Sequence, residues 1–203
     1  MKCGLESFLN PGLLTIFGTR TPACISTWIN PYIRTLVLGT IQSVGGLTER
    51  SEFLIRLASD ITRGGKNMSV VVITGCSSGF GLEGALAFAR NGDQVYATMR
   101  DPDRAGDLLE AATRENLDVE VRKLDVMQPE SFAGFVESVV GEAGAIDVLV
   151  NNAGILRAGA FEDLTEQSFR DVLETNYVGP MLLARAVLPQ MRSSLTDCKG
   201  LRR

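Results

Sequence analysis

The chain has 203 residues, 45% of them hydrophobic and 22% charged, a composition that excludes disorder throughout. Histidine is absent, which removes Ser-His-Asp and Cys-His nucleophile systems and every His-containing metal site, so no metal is expected. The net charge of -4 conceals a block, residues 68–192, with ten basic and nineteen acidic side chains, and so acidic a centre offers no phosphate-binding stripe for nucleic acid.

The first 67 residues differ in character from the rest. Between Ser7 and Thr48 the only charges are Arg20 and Arg34, and Pro11, Pro22 and Pro31 interrupt any helical period. The uncharged run Thr35–Thr48 falls short of the roughly 20 apolar residues that cross a bilayer. Glu6, Pro11 and Gly12 break the pattern of a secretory leader. Residues 1–67 therefore read as an extension of uncertain order, and membrane contact by residues 7–48 is not expected. An alternative makes Met68 the natural start. Cys3, Cys24, Cys76 and Cys198 form no C-x-x-C pair, which fits a reducing, cytoplasmic setting.

From Met68 the periodicity sharpens. Ser69–Thr74 is a largely apolar run, the mark of a strand covered on both faces. Leu82, Ala85, Leu86 and Ala89 then recur at helical spacing, and Asn91-Gly92 supplies a stop. Gln94–Met99 predicts a second strand, Arg104–Glu115 a helix, and Val119–Leu124 a third strand. Phe132, Phe135, Val136, Val139 and Val140 trace an amphipathic stripe, and Ile146–Val150 predicts a fourth strand. A long helix follows over Glu166–Arg192, and residues 193–203 read as an irregular tail. Strands alternating with helices predict a Rossmann-like α/β fold, a doubly wound parallel sheet between two helical layers, over residues 68–192. The expected strand order places Ile146–Val150 at an exposed edge, and with it an unstable monomer. Covering of that edge by Thr35–Ile41 is conceivable, but the neighbouring prolines argue against it.

Between the first strand and its helix stands Thr74-Gly75-Cys76-Ser77-Ser78-Gly79-Phe80-Gly81. Glycines there let the backbone approach a pyrophosphate, while the helix offers free N–H groups and its positive dipole end. A glycine cluster also closes ordinary turns, but this one has the strand-to-helix setting that nucleotide binding requires. Cys76 reads as a small loop residue rather than a reactive thiol.

The spacing T-G-x-x-x-G-x-G is followed in order by Leu124-Asp125-Val126, Asn151-Asn152-Ala153-Gly154 and Asn176. Over residues 68–192 the sequence resembles the short-chain dehydrogenase/reductase family. Val95–Asp101 is similar to its retinol and hydroxysteroid dehydrogenase branches. The resemblance implies an oxidoreductase that moves hydride between a nicotinamide dinucleotide and a secondary alcohol or ketone. It implies that Gly75, Ser77, Ser78, Gly79, Phe80 and Gly81 line the pyrophosphate and adenosine ribose. Asp125 and Val126 would hold the adenine, and Asn152, Ala153 and Gly154 would lie along the cofactor. Read without the resemblance, Asp125 is a turn carboxylate, and Asn151–Gly154 has a strand-tying role.

Arg100 points to NADP rather than NAD, since an arginine after the second strand accommodates a 2′-phosphate. Asp101, 20 residues beyond Gly81, leaves an acidic competitor close by. Pro180, four residues after Asn176, has no N–H to donate, so the Asn176 carbonyl loses its helical partner. By resemblance that carbonyl holds a water of the proton relay.

The family's Ser and its Tyr-x-x-x-Lys are not present. Tyr32, Tyr96 and Tyr177 are followed four places on by Leu36, Arg100 and Met181. Read literally, the chain is the cofactor half of a truncated or frameshifted oxidoreductase and is inactive alone. The alternative is a non-catalytic nucleotide-binding or interaction module, pairing through helix 166–192 with a second copy or a complete paralogue.

Overall fold

The computed structural model describes residues 14–18, 34–38 and 68–196, with side chains from 68 to 192. Most of the 1–67 extension, together with Tyr32, Cys3, Cys24 and Cys198, lies outside the described residues. The strands are β1 (Leu14–Gly18), β2 (Arg34–Leu38), β3 (Val70–Thr74), β4 (Gln94–Met99), β5 (Val119–Lys123) and β6 (Val148–Asn151). The helices are α1 (Gly79–Arg90), α2 (Gly106–Arg114), α3 (Phe132–Ala143), α4 (Glu166–Leu173) and α5 (Gly179–Thr196), with a π-turn over Glu174–Val178 joining the last two. The six strands form one sheet in the order β2-β1-β6-β3-β4-β5. Its four central and outer members β6, β3, β4 and β5 run parallel, as alternating strands and helices require.

Strand alternation divides the core in two. Val71, Ile73, Val95, Ala97, Met99, Val148 and Val150 pack with Ala85, Leu86 and Phe88 of α1 and Leu108, Ala111 and Ala112 of α2. Val70, Val72, Tyr96 and Leu149 face the other way, onto Phe132, Val136 and Val139 of α3 and Leu183, Val187 and Met191 of α5. Each buried Val, Leu, Ile, Phe or Met among them contributes about 1.5–3 kcal/mol of transfer free energy, which is why the parallel strands are near-continuous apolar runs. The fold is Rossmann-like, three layers with the sheet in the middle.

Several boundaries depart from the sequence reading, among them three at β6 and the long helix. The fourth strand begins at Val148 rather than Ile146. Ile146 gives its N–H to Gln190 Oε1 (3.1 Å) and receives Gln190 Nε2 at its carbonyl (3.0 Å), so its backbone is committed to α5. The long helix is not continuous: it widens at Glu174–Val178, where the Gly179 N–H reaches back to the Glu174 carbonyl. It also runs on to Thr196, past the expected end at Arg192.

The exposed edge is also corrected. β1 lies antiparallel against β6, with Ile16 opposite Val150, and β2 pairs with β1 in turn. Arg34–Leu38 is thus a strand, but Leu14–Gly18 is the one that meets β6. Pro11, Pro22 and Pro31 fall outside both strands, so none removes a ladder donor from them.

Candidate dinucleotide site at the carboxyl ends of the parallel strands

The glycine turn sits where β3 ends, and its geometry sorts the three glycines. Gly75 has φ +74°, and an added Cβ would lie 2.7 Å from Ala153 Cα. At Gly81 a Cβ would lie 2.8 Å from the Gly75 carbonyl carbon and 2.5 Å from Asn152 Nδ2. Both are therefore required by the protein's own packing. Gly79 differs: its φ of +60° favours glycine, yet nothing stands within 4 Å of where a side chain would begin. It opens α1 toward free space.

Thr74 fastens this turn to the end of β6. Its hydroxyl oxygen accepts the N–H groups of Asn152 and Ala153, each at 3.0 Å. Asn152 Nδ2 donates to the carbonyls of Thr74 (2.9 Å) and Gly75 (3.1 Å). The side chain of Asn152 thus ties two loops together.

The entrance to α1 is electrostatically open. Ser78 makes no side-chain cap, and no acidic residue stands in the first turn. The positive end of the helix dipole therefore meets no carboxylate of its own first turn, a setting that favours an anion. Ser78, Gly79 and Phe80 are exposed, and Ser77 is half-buried. Cys76, by contrast, is buried, donates its thiol to the Ile73 carbonyl at 3.3 Å, and has its pKa pushed up to about 12 by desolvation.

At the end of β4, Met99 is buried in the core while Arg100 is exposed. Asp101 Oδ1 accepts the Asp103 N–H at 3.2 Å and caps the short 3-10 turn Pro102–Ala105. Asp125, half-buried after β5, spends one carboxylate oxygen on the Met127 N–H at 3.0 Å, a local Asx turn. Val126 is buried beside it.

Asn176 lies in the π-turn and grips the segment after β6. Its Oδ1 accepts the Ile155 N–H and its Nδ2 donates to the Ile155 carbonyl, both at 2.8 Å. Gly154 faces this amide, with an added Cβ 3.4 Å from Asn176 Oδ1. Asn151 Nδ2 donates to the Pro180 carbonyl at 3.2 Å, while Asn151 Oδ1 and Thr175 Oγ1 are buried without a hydrogen-bond partner. Sequence reasoning named Thr74 only as the first residue of the glycine motif, and it singled out neither Ile155 nor Gly179. The pair Asn176-x-x-Gly179 carried a signal, a glycine at helical spacing with no stop to make.

The structure therefore brings the glycine turn, the end of β4, the Asp125–Val126 turn and the Asn151–Ile155 segment to the carboxyl ends of four adjacent parallel strands. In open α/β sheets that is where ligands bind. Of the three tyrosines, Tyr96 is buried in the core, where its hydroxyl accepts Gln94 Nε2 at 3.2 Å, and Tyr177 is exposed in the π-turn. Among the described residues, no helix is long and apolar enough to cross a membrane.

The family model for short chain dehydrogenases matches residues 69–197. The chain is 44% identical over 127 residues to retinol dehydrogenase 8 of Bos taurus, covering 60% of this chain and 40% of that protein. It is 42% identical over 130 residues to human 17-beta-hydroxysteroid dehydrogenase type 1, covering 61% and 39%. Among solved structures, a metagenomic short-chain oxidoreductase in complex with NADP matches with a TM-score of 0.58 and 28% identity, covering 64% of this chain and 60% of that one. The chain spans about two-fifths of the length of these two curated relatives. With its family match, its parallel sheet and its glycine turn in agreement, the chain belongs to the short chain dehydrogenase family and is similar to its retinol and hydroxysteroid dehydrogenase members.

Proposed function

We propose that this chain is a nicotinamide-dinucleotide-binding unit of an oxidoreductase lineage, with NADP(H) preferred over NAD(H). The observation that carries the reading is the uncapped, acid-free start of α1, opened by Gly79 on a turn that Gly75, Gly81, Thr74 and Asn152 hold rigid. A dinucleotide fits these residues. Ser77, Ser78, Gly79, Phe80 and Gly81 would receive the pyrophosphate and ribose, and Asp125 with Val126 the adenine. Asn152, Ala153 and Gly154 would border the nicotinamide side. When bound, the dinucleotide supplies the hydride; the family chemistry exchanges it with a secondary alcohol or ketone.

Phosphate preference rests on Arg100. It is exposed at the end of β4, whereas Asp101 is occupied in capping the next turn. The structure of the metagenomic relative, solved with NADP, supports the same reading. Proton transfer is another matter. Tyr96 is buried, and desolvation with the charges of Glu120 and Glu142 raises its pKa, which makes it a poor acid. Tyr177 has Met181 where the family has Lys. We infer that the chain alone binds cofactor without completing turnover, since hydride transfer without a proton donor forfeits about 10²–10⁴-fold.

Titration of NADPH and NADH by calorimetry tests the assignment. NADPH should bind about 10-fold tighter or more, a charge-assisted contact being worth about 1.5–3 kcal/mol, and Arg100→Ala should erase the difference. Equal affinities in the unmodified chain would overturn the preference. The same preparation with NADPH and steroid, retinoid or small ketone substrates should turn none over.

A further inference from the structure

Gly179 opens α5 with φ -56° and ψ -53°, an ordinary helical conformation that any residue adopts. Glycine there forgoes the stability alanine would give, so its presence calls for a reason other than backbone freedom. Space is that reason. An added Cβ would run into the Val126 carbonyl oxygen, with the Val126 carbonyl carbon and the Glu174 oxygen each only 3.0 Å away. All three obstacles are backbone atoms, which cannot swing aside as a side chain can.

Hydrogen bonds hold both sides of this contact. On the helix side, Asn176 is fixed by both amide bonds to Ile155, and the Pro180 carbonyl accepts Asn151 Nδ2. On the other side, Asp125–Val126 is a turn held by the Met127 and Gln128 N–H groups, which bond to the Asp125 carboxylate and carbonyl at 3.0 Å each. Just before it, the Leu124 N–H bonds to the Met99 carbonyl at 3.0 Å, beside Arg100. A side chain at Gly179 would therefore press directly on the backbone of the Asp125–Val126 turn.

We propose that Gly179 is a positioning residue for the adenosine end of the dinucleotide: by letting the π-turn rest directly on the Val126 carbonyl, it sets the place of the Asp125–Val126 turn. The proposal rests on the nucleotide-binding reading above and deepens it. It makes the helix behind the nicotinamide side a support for the adenine side.

The test uses the full chain and adenosine 2′,5′-bisphosphate, a probe that carries only the adenosine half. Affinity is measured by calorimetry for the unmodified chain, for Gly179→Ala, and for Gly134→Ala in α3, where an added Cβ meets nothing within 4 Å. Gly179→Ala should weaken binding on the order of 10-fold or more while circular dichroism shows it folded at the assay temperature, and Gly134→Ala should bind as the unmodified chain does. Equal affinity in Gly179→Ala and the unmodified chain overturns the proposal. No binding by the unmodified chain overturns the nucleotide reading itself, and the proposal with it. Should Gly179→Ala fail to fold, amide hydrogen exchange of the unmodified chain decides. The probe should protect the Gly179 amide along with those of Met127 and Gln128, and protection confined to the latter two overturns the proposal.

Discussion

At Cys76, neighbours settle what residue type leaves open. Its position at a helix entrance is one where thiols elsewhere become reactive, because the dipole favours the thiolate. Here the side chain turns inward, and desolvation outweighs the backbone hydrogen bond from Thr98, raising the pKa to about 12. A chain with Cys3, Cys24 and Cys198 replaced by serine should therefore resist a thiol-specific disulfide reagent at pH 8, and react fully once unfolded. Rapid modification of the native protein would show that Cys76 is not buried as described. Gly75 and Gly81 were legible as turn residues. Their reason was not, because the atoms that forbid a Cβ belong partly to Ala153 and Asn152, more than 70 residues away. Asp125 shows the converse: sequence offered adenine contact and turn formation, and the structure shows its carboxylate in the turn.

Among the elements, β3 is anchored at its start by two carboxylates from other segments. Asp93 Oδ1 accepts the Ser69 N–H, and Asp147 Oδ2 the Val70 N–H, each at 3.0 Å. Asn91 Nδ2 donates to Asp93 as well, at 3.0 Å. Desolvation outweighs these bonds, and with the nearby Asp147 it raises the Asp93 pKa. A folded-state pKa above the unfolded one means that the folded protein holds the proton more tightly. The stability this contributes is fully present below the ordinary aspartate range and is lost as pH rises through the raised value. Asp93→Asn should therefore gain stability relative to the unmodified chain as pH increases from about 3.5 toward 7. Urea unfolding across that range measures it, and a difference that shrinks with pH would contradict the assignment.

The four parallel strands were legible because burial on both faces leaves apolar runs that periodicity detects. The break in the long helix was half legible. Pro180 announced a missing donor at Asn176, but not the widened turn at Glu174–Val178, where the Gly179 N–H bonds to the Glu174 carbonyl. The start of β6 was misjudged because the claim of Gln190 on Ile146 spans 44 residues.

Across the whole molecule, the largest departure from the sequence reading is the edge of the parallel sheet. The run Ile146–Val150 reads as an exposed apolar edge, yet β1 pairs with β6 through four residues and β2 extends the sheet further. Antiparallel partners from residues 14–38 could not be foreseen from periodicity, since two five-residue strands in a low-charge segment carry little signal. Ile16→Pro tests their importance. It removes a donor from an interior strand and should free the β6 edge, so light scattering should report more association than in the unmodified chain. An Ile16→Pro chain with unchanged association and unchanged melting would mean that β1 does not protect that edge.

In the proposed complex a dinucleotide lies across the carboxyl ends of β3, β4, β5 and β6. Amide chemical shifts of the full chain, recorded as NADPH is added, test it most directly. The account predicts saturable changes at Gly75–Gly81, Arg100, Asp125–Val126 and Asn152–Gly154, with the start of β3 at Ser69 and Val70 unmoved. Saturable changes that leave the glycine turn untouched, or no changes at all, would contradict it.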